Sequence, residues 1–305
     1  MHIIVVAGGN SPEREISLQS GKQVYEALCQ RGHDVQFVDA AEIDWESFSC
    51  PDETVLMLTV HGEFGEDGTL QAILEKKQIR YTGSNSTASG LAFQKSLAKQ
   101  RFREAQLQTP PSVLLNHSDR TAYSPCRLQE SLGPFPWFVK PDAGGSSIAT
   151  SAVHSEQELQ SALDQCWAIS NSVLIEKLIV GREFTVAVFK DQALPPVEIV
   201  VTRSFYDFTA KYADSGTVYV TEPQINEELK QQLEHSALVA HQCLGASGLT
   251  RSDFIVDEMG AIWILELNTL PGMTPRSLAP KAAQKAGWSF AELCEAICEE
   301  ALESK

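Results

Sequence analysis

The sequence predicts an α/β unit followed by two α+β units, and three observations carry this reading. Buried strands alternate with amphipathic helices from residue 1 to about 85, the pattern of a parallel sheet. Two strand-like runs flank the glycine-rich "DAGGSS", the pattern of an antiparallel hairpin. Further on, strands and helices frame a polar, aromatic stretch, "SFYDFTAKYADSGTVYVTEP", with little core pattern. At 305 residues the chain is long enough for two or three compact units. With 43% hydrophobic and 21% charged residues it can bury a sizeable core. The units are read as residues 1–85, 86–172 and 173–305.

In the first unit, "HIIVVA" is a buried strand and "SLQSGKQVYEALCQRG" an amphipathic helix ending near Gly32. "DVQFVDA" and "TVLMLTV" are further strands, "GTLQAILEKKQ" is a helix, and "IRYTGS" is a short strand. The second unit opens with one helix, roughly Ala88 to Glu104. Pro110 and Pro111 of "TPPSVLL" mark a boundary or an edge. "PFPWFVKP" and "IATSAV" form the hairpin. Ser155 to Glu158 has the S-x-x-E form of a capping box, and Leu159 and Leu163 continue the apolar stripe of its helix. The third unit opens with the strands "VLIEKLI" and "EFTVAVF". A helix, "NEELKQQLEHSALVAHQCLG", two strands and a terminal helix complete it.

Aspartate and glutamate outnumber lysine and arginine by 40 to 24, a formal net charge of −16. A chain this acidic is a poor partner for nucleic acid or an anionic membrane surface, so any phosphate site needs a local group of cations. The seven cysteines are odd in number and irregular in spacing, with no C-x-x-C. They read as reduced, mostly buried thiols. The N-terminal "MHIIVVAGGN" has no basic region, its apolar run is too short for a signal peptide, and no segment approaches the roughly 20 apolar residues of a membrane-spanning helix. A soluble, cytoplasmic protein is expected.

The stretch "ILELN", Ile264 to Asn268, reads as a strand, with Leu265 and Leu267 on one face and Glu266 and Asn268 on the other. Upstream lies "TRSDFIVDEMG". If Met259-Gly260 is a two-residue hairpin loop, Asp253 stands opposite Glu266 and Arg251 opposite Asn268. A one-residue slip would turn these side chains to the other face. Two carboxylates roughly 5 Å apart repel unless one is protonated or a cation bridges them. An Asp, a Glu and an Asn carbonyl form the all-oxygen set that Mg²⁺ prefers. A plain ion pair with Arg251 is the alternative.

No P-loop is present, and no G-x-G-x-x-G follows the first strand. In "AGGNSPEREISL", Ser11 suits an N-cap and Pro12 the first helical position, so this helix start is either an anion site or a simple capped turn. "HGEFGEDG", His61 to Gly68, follows a buried strand, where ligands bind in open α/β sheets. His61 is a site candidate there, or else a core or capping histidine. Lys140 closes "PFPWFVK" beside a Gly-Gly-Ser-Ser loop that can hold phosphate as an anion nest or form a solvated hairpin tip.

Taken together, "SPEREISL", "HGEFGEDGTLQ", "YTGSNSTASGLAFQKSLAK", "FVKPDAGGSSIATS", "VLIEKLIVGREFTV", "FYDFTAKY", "TRSDFIVD" and "LELNTLPGMTPRSLAP" resemble the D-alanine–D-alanine ligases of the ATP-grasp superfamily. The resemblance runs over nearly the whole chain in the family's order. It implies an ATP-grasp fold in which an N-terminal parallel α/β substrate-binding domain precedes a central and a C-terminal ATP-grasp subdomain. ATP would lie between the last two, beneath a mobile loop at about 205–220 that shields the reaction from water. The implied reaction phosphorylates the carboxylate of one D-alanine and lets the amine of a second attack the acyl phosphate, for peptidoglycan precursor synthesis. The implied cofactors are ATP and two Mg²⁺ ions, with Mn²⁺ as the alternative ion. A homodimer is compatible with the family.

The resemblance also assigns roles. Asp253, Glu266 and Asn268 would bind the metal ions. Lys95, Lys140, Lys211, Ser146 and Ser147 belong to the ATP site, the lysines facing the phosphates. Glu176, Lys177, Ile179 and Glu183 would hold adenine and ribose. Glu13 and His61 would position the first D-alanine. Arg251 and the N–H of Gly272 would form the oxyanion hole, and Ser277 and the Leu278 N–H would take the second carboxylate. Tyr212 would lock the closed loop through Glu13 and Ser146, and a tyrosine there favours a dipeptide over D-alanine–D-lactate. The chain departs from the family pattern at Phe93-Gln94, where Met-Asp is usual, at Gly144, where a bulkier residue is usual, and at Ala149, where glycine is usual. Two other readings compete: a ligase joining other amino acids, and a non-catalytic nucleotide-binding paralogue. A dehydrogenase lacks its glycine fingerprint here.

Overall fold

The computed structural model describes residues 1–120, 123–145, 148–201 and 216–303. Its first layer is the expected parallel sheet. Strands β1 (His2–Ala7), β2 (Asp34–Asp39), β3 (Thr54–Leu58) and β4 (Arg80–Tyr81) pair in parallel in the order β2-β1-β3-β4. β1 and β3 are apolar almost without interruption because both faces of the sheet are covered. Helices α1 (Arg14–Gln30) and α2 (Thr69–Lys76) belong to this unit. β2 is an edge strand and is more exposed than β1 and β3.

The single helix expected at 88–104 is two, α3 (Ser86–Phe93) and α4 (Lys95–Glu104). Gln94 interrupts them with extended backbone, φ −89° and ψ 100°, and bridges to Ala143. A tertiary contact overrides the local helical pattern there. Ala92, Ala98 and Phe102 of these helices join the core of the C-terminal sheet, where fully burying a side chain such as Phe102 contributes roughly 1.5–3 kcal/mol.

The second sheet contains β5 (Ser112–Asn116), β6 (Trp137–Pro141), β7 (Ser151–Val153) and β8 (Ser172–Lys177), all antiparallel in the order β5-β8-β6-β7. Helices α5 (Pro125–Leu132) and α6 (Glu156–Trp167) pack against it around Trp137, Leu159 and Leu163. β6 and β7 pair antiparallel as expected, but β7 begins at Ser151 instead of Ile148, so the connection is longer than the glycine loop alone. Val173–Lys177 is not where the sequence places it: this run, expected to open the third unit, lies between β5 and β6. Its neighbours in space are earlier strands, a choice that sequence order does not reveal. The Ser155 hydroxyl accepts from Glu158 N–H as a capping box requires, while the Glu158 carboxylate reaches one residue further back, to His154 N–H.

The third sheet runs β12 (Val218–Val220), β11 (Val197–Val200), β9 (Gly181–Phe189), β13 (Thr250–Asp257) and β14 (Ile262–Asn268), with β10 (Gln192–Ala193) also on β9. α7 (Glu227–Cys243) covers one face. α8 (Leu278–Lys285) and α9 (Phe290–Glu303) cover the other and pack on β1, β3 and α1, so the first and third sheets share one core. All seven cysteines are free. Cys166, Cys294 and Cys298 are buried, but Cys29 and Cys126 are exposed, against the expectation that most are buried. No helix among the described residues is long and apolar enough to cross a membrane.

Candidate active site

The β13–β14 hairpin carries the expected carboxylate pair, through two offsets that cancel. The turn has three residues between Asp257 and Ala261: Asp257 N–H donates to the Ala261 carbonyl, and Val256 faces Ile262. The Asp257 carboxylate closes it by accepting from Met259 and Ala261 N–H. The register then shifts by one at a bulge, where Phe254 faces Ile264 but Asp253 faces Glu266. Arg251 consequently lies opposite Asn268, as expected. The extra residue is Leu265. It lines the cavity beside Glu266, whereas Leu267 enters the core. The expectation that the two leucines share a face fails because a bulge breaks the period of two.

Each carboxylate on this wall has a cation beside it. Arg251 donates through Nε and Nη2 to the two oxygens of Asp253, both at 2.8 Å. Thr185, directly opposite on β9, donates to Asp253 Oδ1 at 2.7 Å. Asn268 Nδ2 lies 3.4 Å from Asp253 Oδ2. Lys95 Nζ stands 3.6 Å from Glu266 Oε2. The plain ion pair between Arg251 and Asp253 is thus present.

Lys95 owes its position to the break at Gln94. Its N–H donates to the Asp142 carbonyl at 2.9 Å, and its Nζ to the Gly144 carbonyl at 2.6 Å. Gln94 sits at the N-cap of α4 and makes no side-chain cap. Asp142 supplies it from the end of β6, accepting from Ser96 N–H at 2.7 Å and Ser96 Oγ at 2.9 Å.

Behind this wall, Glu176 of β8 lies between two lysines. Its Oε2 meets Lys140 Nζ at 2.8 Å, and its Oε1 meets Lys99 Nζ at 2.5 Å. Burial pushes the Glu176 carboxyl upward, but the charges of Lys140 and Lys99 outweigh it and hold it below its ordinary value. Lys99 itself is fully buried, and burial pushes it down to about 8. The sequence reading missed Lys99. The available signal was its place four residues after Lys95, on the same helical face.

The loops of the first sheet contribute Glu13 and His61. α1 starts at Arg14, after Ser11. The Ser11 hydroxyl accepts from Glu13 N–H and donates to the His61 carbonyl at 2.7 Å, so it caps the turn before the helix and ties two loops together. The capped turn is present: Gly8 and Gly9 N–H before it donate to Ser17 Oγ and Asp39 Oδ1, and Glu13 at the helix start lines the cavity. Gly62 and Gly145 make room for the Glu13 carboxylate: a Cβ on either would stand 2.6 or 3.0 Å from Glu13 Oε2. His61 is buried, with Nδ1 3.3 Å from Glu66 Oε1 and Nε2 3.4 Å from Ser20 Oγ. Burial works against its charged form, but Glu66 and then Glu13 raise it above its ordinary value.

A cavity of about 700 Å³ joins these groups. Glu13, Lys95, Lys140, Glu176, Lys177, Ile179, Glu183, Asp253 and Glu266 all line it, and its mouth is apolar at Ile169, Val180 and Val200. The volume suits a nucleotide-sized ligand. His61, Arg251 and Asn268 stand one shell back, through Gly62 and Asp253. Gly272, Ser277 and Leu278 do not line the cavity. Ser277 donates its N–H to the Thr274 carbonyl and accepts from Thr274 N–H, which occupies it in the turn that starts α8. Ser146, Ser147, Lys211 and Tyr212, with most of the stretch at 205–220, lie outside the described residues.

Residues 102–299 match the family model described as "D-ala D-ala ligase C-terminus". The chain belongs to the D-alanine–D-alanine ligase family. It is 39% identical over 302 residues to the D-alanine--D-alanine ligase of Trichlorobacter lovleyi, covering 98% of this chain and 95% of that one. Among solved structures, the D-alanine--D-Alanine Ligase from Bacillus anthracis superposes with a TM-score of 0.89 at 33% identity, covering 99% of this chain and 98% of that one. Its complex with ATP superposes with a TM-score of 0.86 at 32% identity, with the same coverage. The fold is that of the ATP-grasp ligases.

The backbone is strained at one of the departures. Ala149, where glycine is usual in the family, has φ +52°, a left-handed conformation that costs a non-glycine residue roughly 1–2 kcal/mol. Where Asp is usual, Gln94 leaves its N-cap duty to Asp142. Phe93 lines the cavity, as does Gly144, where a Cβ would meet open space.

Proposed function

We infer that this protein joins two D-alanines into D-alanyl-D-alanine with conversion of ATP to ADP, supplying peptidoglycan precursor synthesis in the cytoplasm, as a homodimer. The observation that carries the reading is the single cavity in which Glu13 of the first unit meets the lysines and carboxylates of the other two. The carboxylate of the first D-alanine attacks the γ-phosphorus, and ADP leaves. The ammonium of the second D-alanine loses a proton to solvent, the free amine attacks the acyl carbon, and the tetrahedral intermediate expels phosphate as the nitrogen gives up its second proton. Glu13 and His61 hold the first D-alanine, the acidic Glu13 taking its ammonium group. Lys95 and Lys140, with Lys211, Ser146 and Ser147, take the phosphates of ATP. Glu176, Lys177, Ile179 and Glu183 form the base and ribose wall. Arg251 and the Gly272 N–H stabilise the oxyanion. Ser277 and the Leu278 N–H bind the second carboxylate, and Tyr212 on the 205–220 loop closes the site with Glu13 and Ser146.

The acidic wall fits a divalent ion held jointly with phosphate. Among the described residues, no three His, Cys, Asp or Glu side chains cluster into a self-sufficient metal site. Asp253, Glu266 and Asn268 therefore offer part of a coordination shell, which suits Mg²⁺ beside a nucleotide, with Mn²⁺ as the alternative. Two such ions would neutralise charge on the transferring phosphoryl group. For Asn268 to join, its amide must turn its oxygen towards Asp253 in place of Nδ2.

With D-alanine, ATP and Mg²⁺, the purified protein is expected to release phosphate and yield the dipeptide by mass spectrometry. EDTA should stop turnover, and added Mg²⁺ or Mn²⁺ should restore it. Phosphate release with D-alanine no greater than in its absence would overturn the reading. Release with a different amino acid instead would assign a different ligase.

A further inference from the structure

Lys99 is a charged side chain with no exposure, set behind the cavity instead of on its surface. An apolar residue of that length would fill the space with a smaller desolvation cost, and replacing buried ion pairs in that way is often neutral or stabilising. What Lys99 does is specific. Its Nζ meets Glu176 Oε1 at 2.5 Å and donates to Thr109 Oγ1 at 2.7 Å, while Thr109 donates to the Ile264 carbonyl at 2.8 Å. That chain ties α4 to β14 and holds the ammonium beside Glu176. Glu176 lies on the cavity wall, and its other oxygen is held by Lys140. At about 8, Lys99 remains a cation at neutral pH.

We propose that Lys99 is a positioning residue acting through Glu176: it holds this carboxylate fixed and acceptor-only, so that the wall selects a nucleobase with an exocyclic amine over one with a keto oxygen. The proposal rests on the nucleotide-binding reading of the cavity. An ionised carboxylate accepts at both oxygens and donates at neither, and each oxygen carries more than one lone pair. The amine of adenine can donate to it. The keto oxygen of hypoxanthine would face it acceptor to acceptor. Without Lys99, Glu176 is tied by Lys140 alone and is free to turn or to take up a proton.

Direct nucleotide binding tests this without any amino-acid substrate, so it is independent of the ligation reaction. Calorimetry with Mg²⁺-ATP and Mg²⁺-ITP should show wild-type protein favouring ATP. K99M is expected to weaken ATP about tenfold, leave ITP almost unchanged, and so move the ATP/ITP ratio towards one. E176Q should also weaken ATP while binding ITP at least as well as wild type, because its amide can donate to the keto oxygen, and K99M/E176Q should bind ATP no more weakly than E176Q alone. If K99M does not fold, K99Q, which keeps a donor without the charge, carries the same comparison. Equal wild-type affinity for the two nucleotides would overturn the proposal. So would a Lys99 variant that binds ATP normally, loses both nucleotides equally, or adds its full effect to that of E176Q.

Discussion

Lys95 stands 3.6 Å from Glu266 on a wall where 11% and 26% of the two side chains stay exposed. Lys99, Glu176 and Lys140 instead lock together at 2.5 and 2.8 Å, with 0%, 3% and 8% exposed. In the first contact, water screens the charges, so the pairing is weak and a ligand can open it at little cost. In the second, the charges are dry, and removing one leaves the others uncompensated. Under the proposed reading, Lys95 and Glu266 exchange partners with a ligand, whereas Glu176 keeps both lysines beside it. The difference also explains how one small cavity can hold many charges without collapsing onto itself.

The sharpest break is Glu266→Gln. Turnover should fall about 10²–10³-fold with the melting temperature nearly unchanged, because the loose contact contributes little to stability. Phosphate release and a thermal scan on the same preparation check both halves. Normal activity in this variant would remove Glu266 from the metal set.

Glu176→Leu should show the reverse emphasis. Two buried ammonium groups would lose their shared counter-charge, and stability should fall by about 3–5 kcal/mol, read from urea unfolding midpoints. A variant as stable as wild type would mean that the triad is wetter than its burial indicates.

The smallest effect is a pH dependence. Lys99 titrates near 8 in the folded protein because burial opposes its charge, while an unfolded lysine titrates near roughly 10.4. Between these values the unfolded chain binds more protons, so stability should rise as pH climbs from about 8 to about 10. K99M should lose this rise. Urea midpoints at about pH 7.5 and pH 9.5 for both proteins decide it. A rise that survives in K99M belongs to another group.

Much of the molecule was legible in the chain. Continuous apolar runs such as "HIIVVA" identified strands covered on both faces, and alternation with helices identified the parallel sheet. The facing of Asp253 and Glu266 was also read correctly, though only because a longer turn and a bulge offset one another. Neither deviation is written in local sequence. Bulges and helix breaks arise where a segment satisfies a partner far along the chain, as Gln94 does with Ala143. Lys99 was missed because a lysine on an amphipathic helix ordinarily points to water. Thr185 and Asp142 were missed because a hydroxyl or carboxylate becomes part of a site only when another strand or helix brings its partner within hydrogen-bond reach.

By itself, the sequence determined which segments become strands and helices, which charged residues must be accommodated among apolar neighbours, and which family the chain resembles. These depend on periodicity and residue type, both local. The tertiary structure alone decided the pairing of those charges: Arg251 with Asp253, Lys95 beside Glu266, and Lys99 and Lys140 sharing Glu176. Ion pairs form between whichever groups the closed sheets bring together, and burial then sets how tightly each is held. That last quantity distinguishes the loose contact at Glu266 from the locked one at Glu176, and no local pattern encodes it.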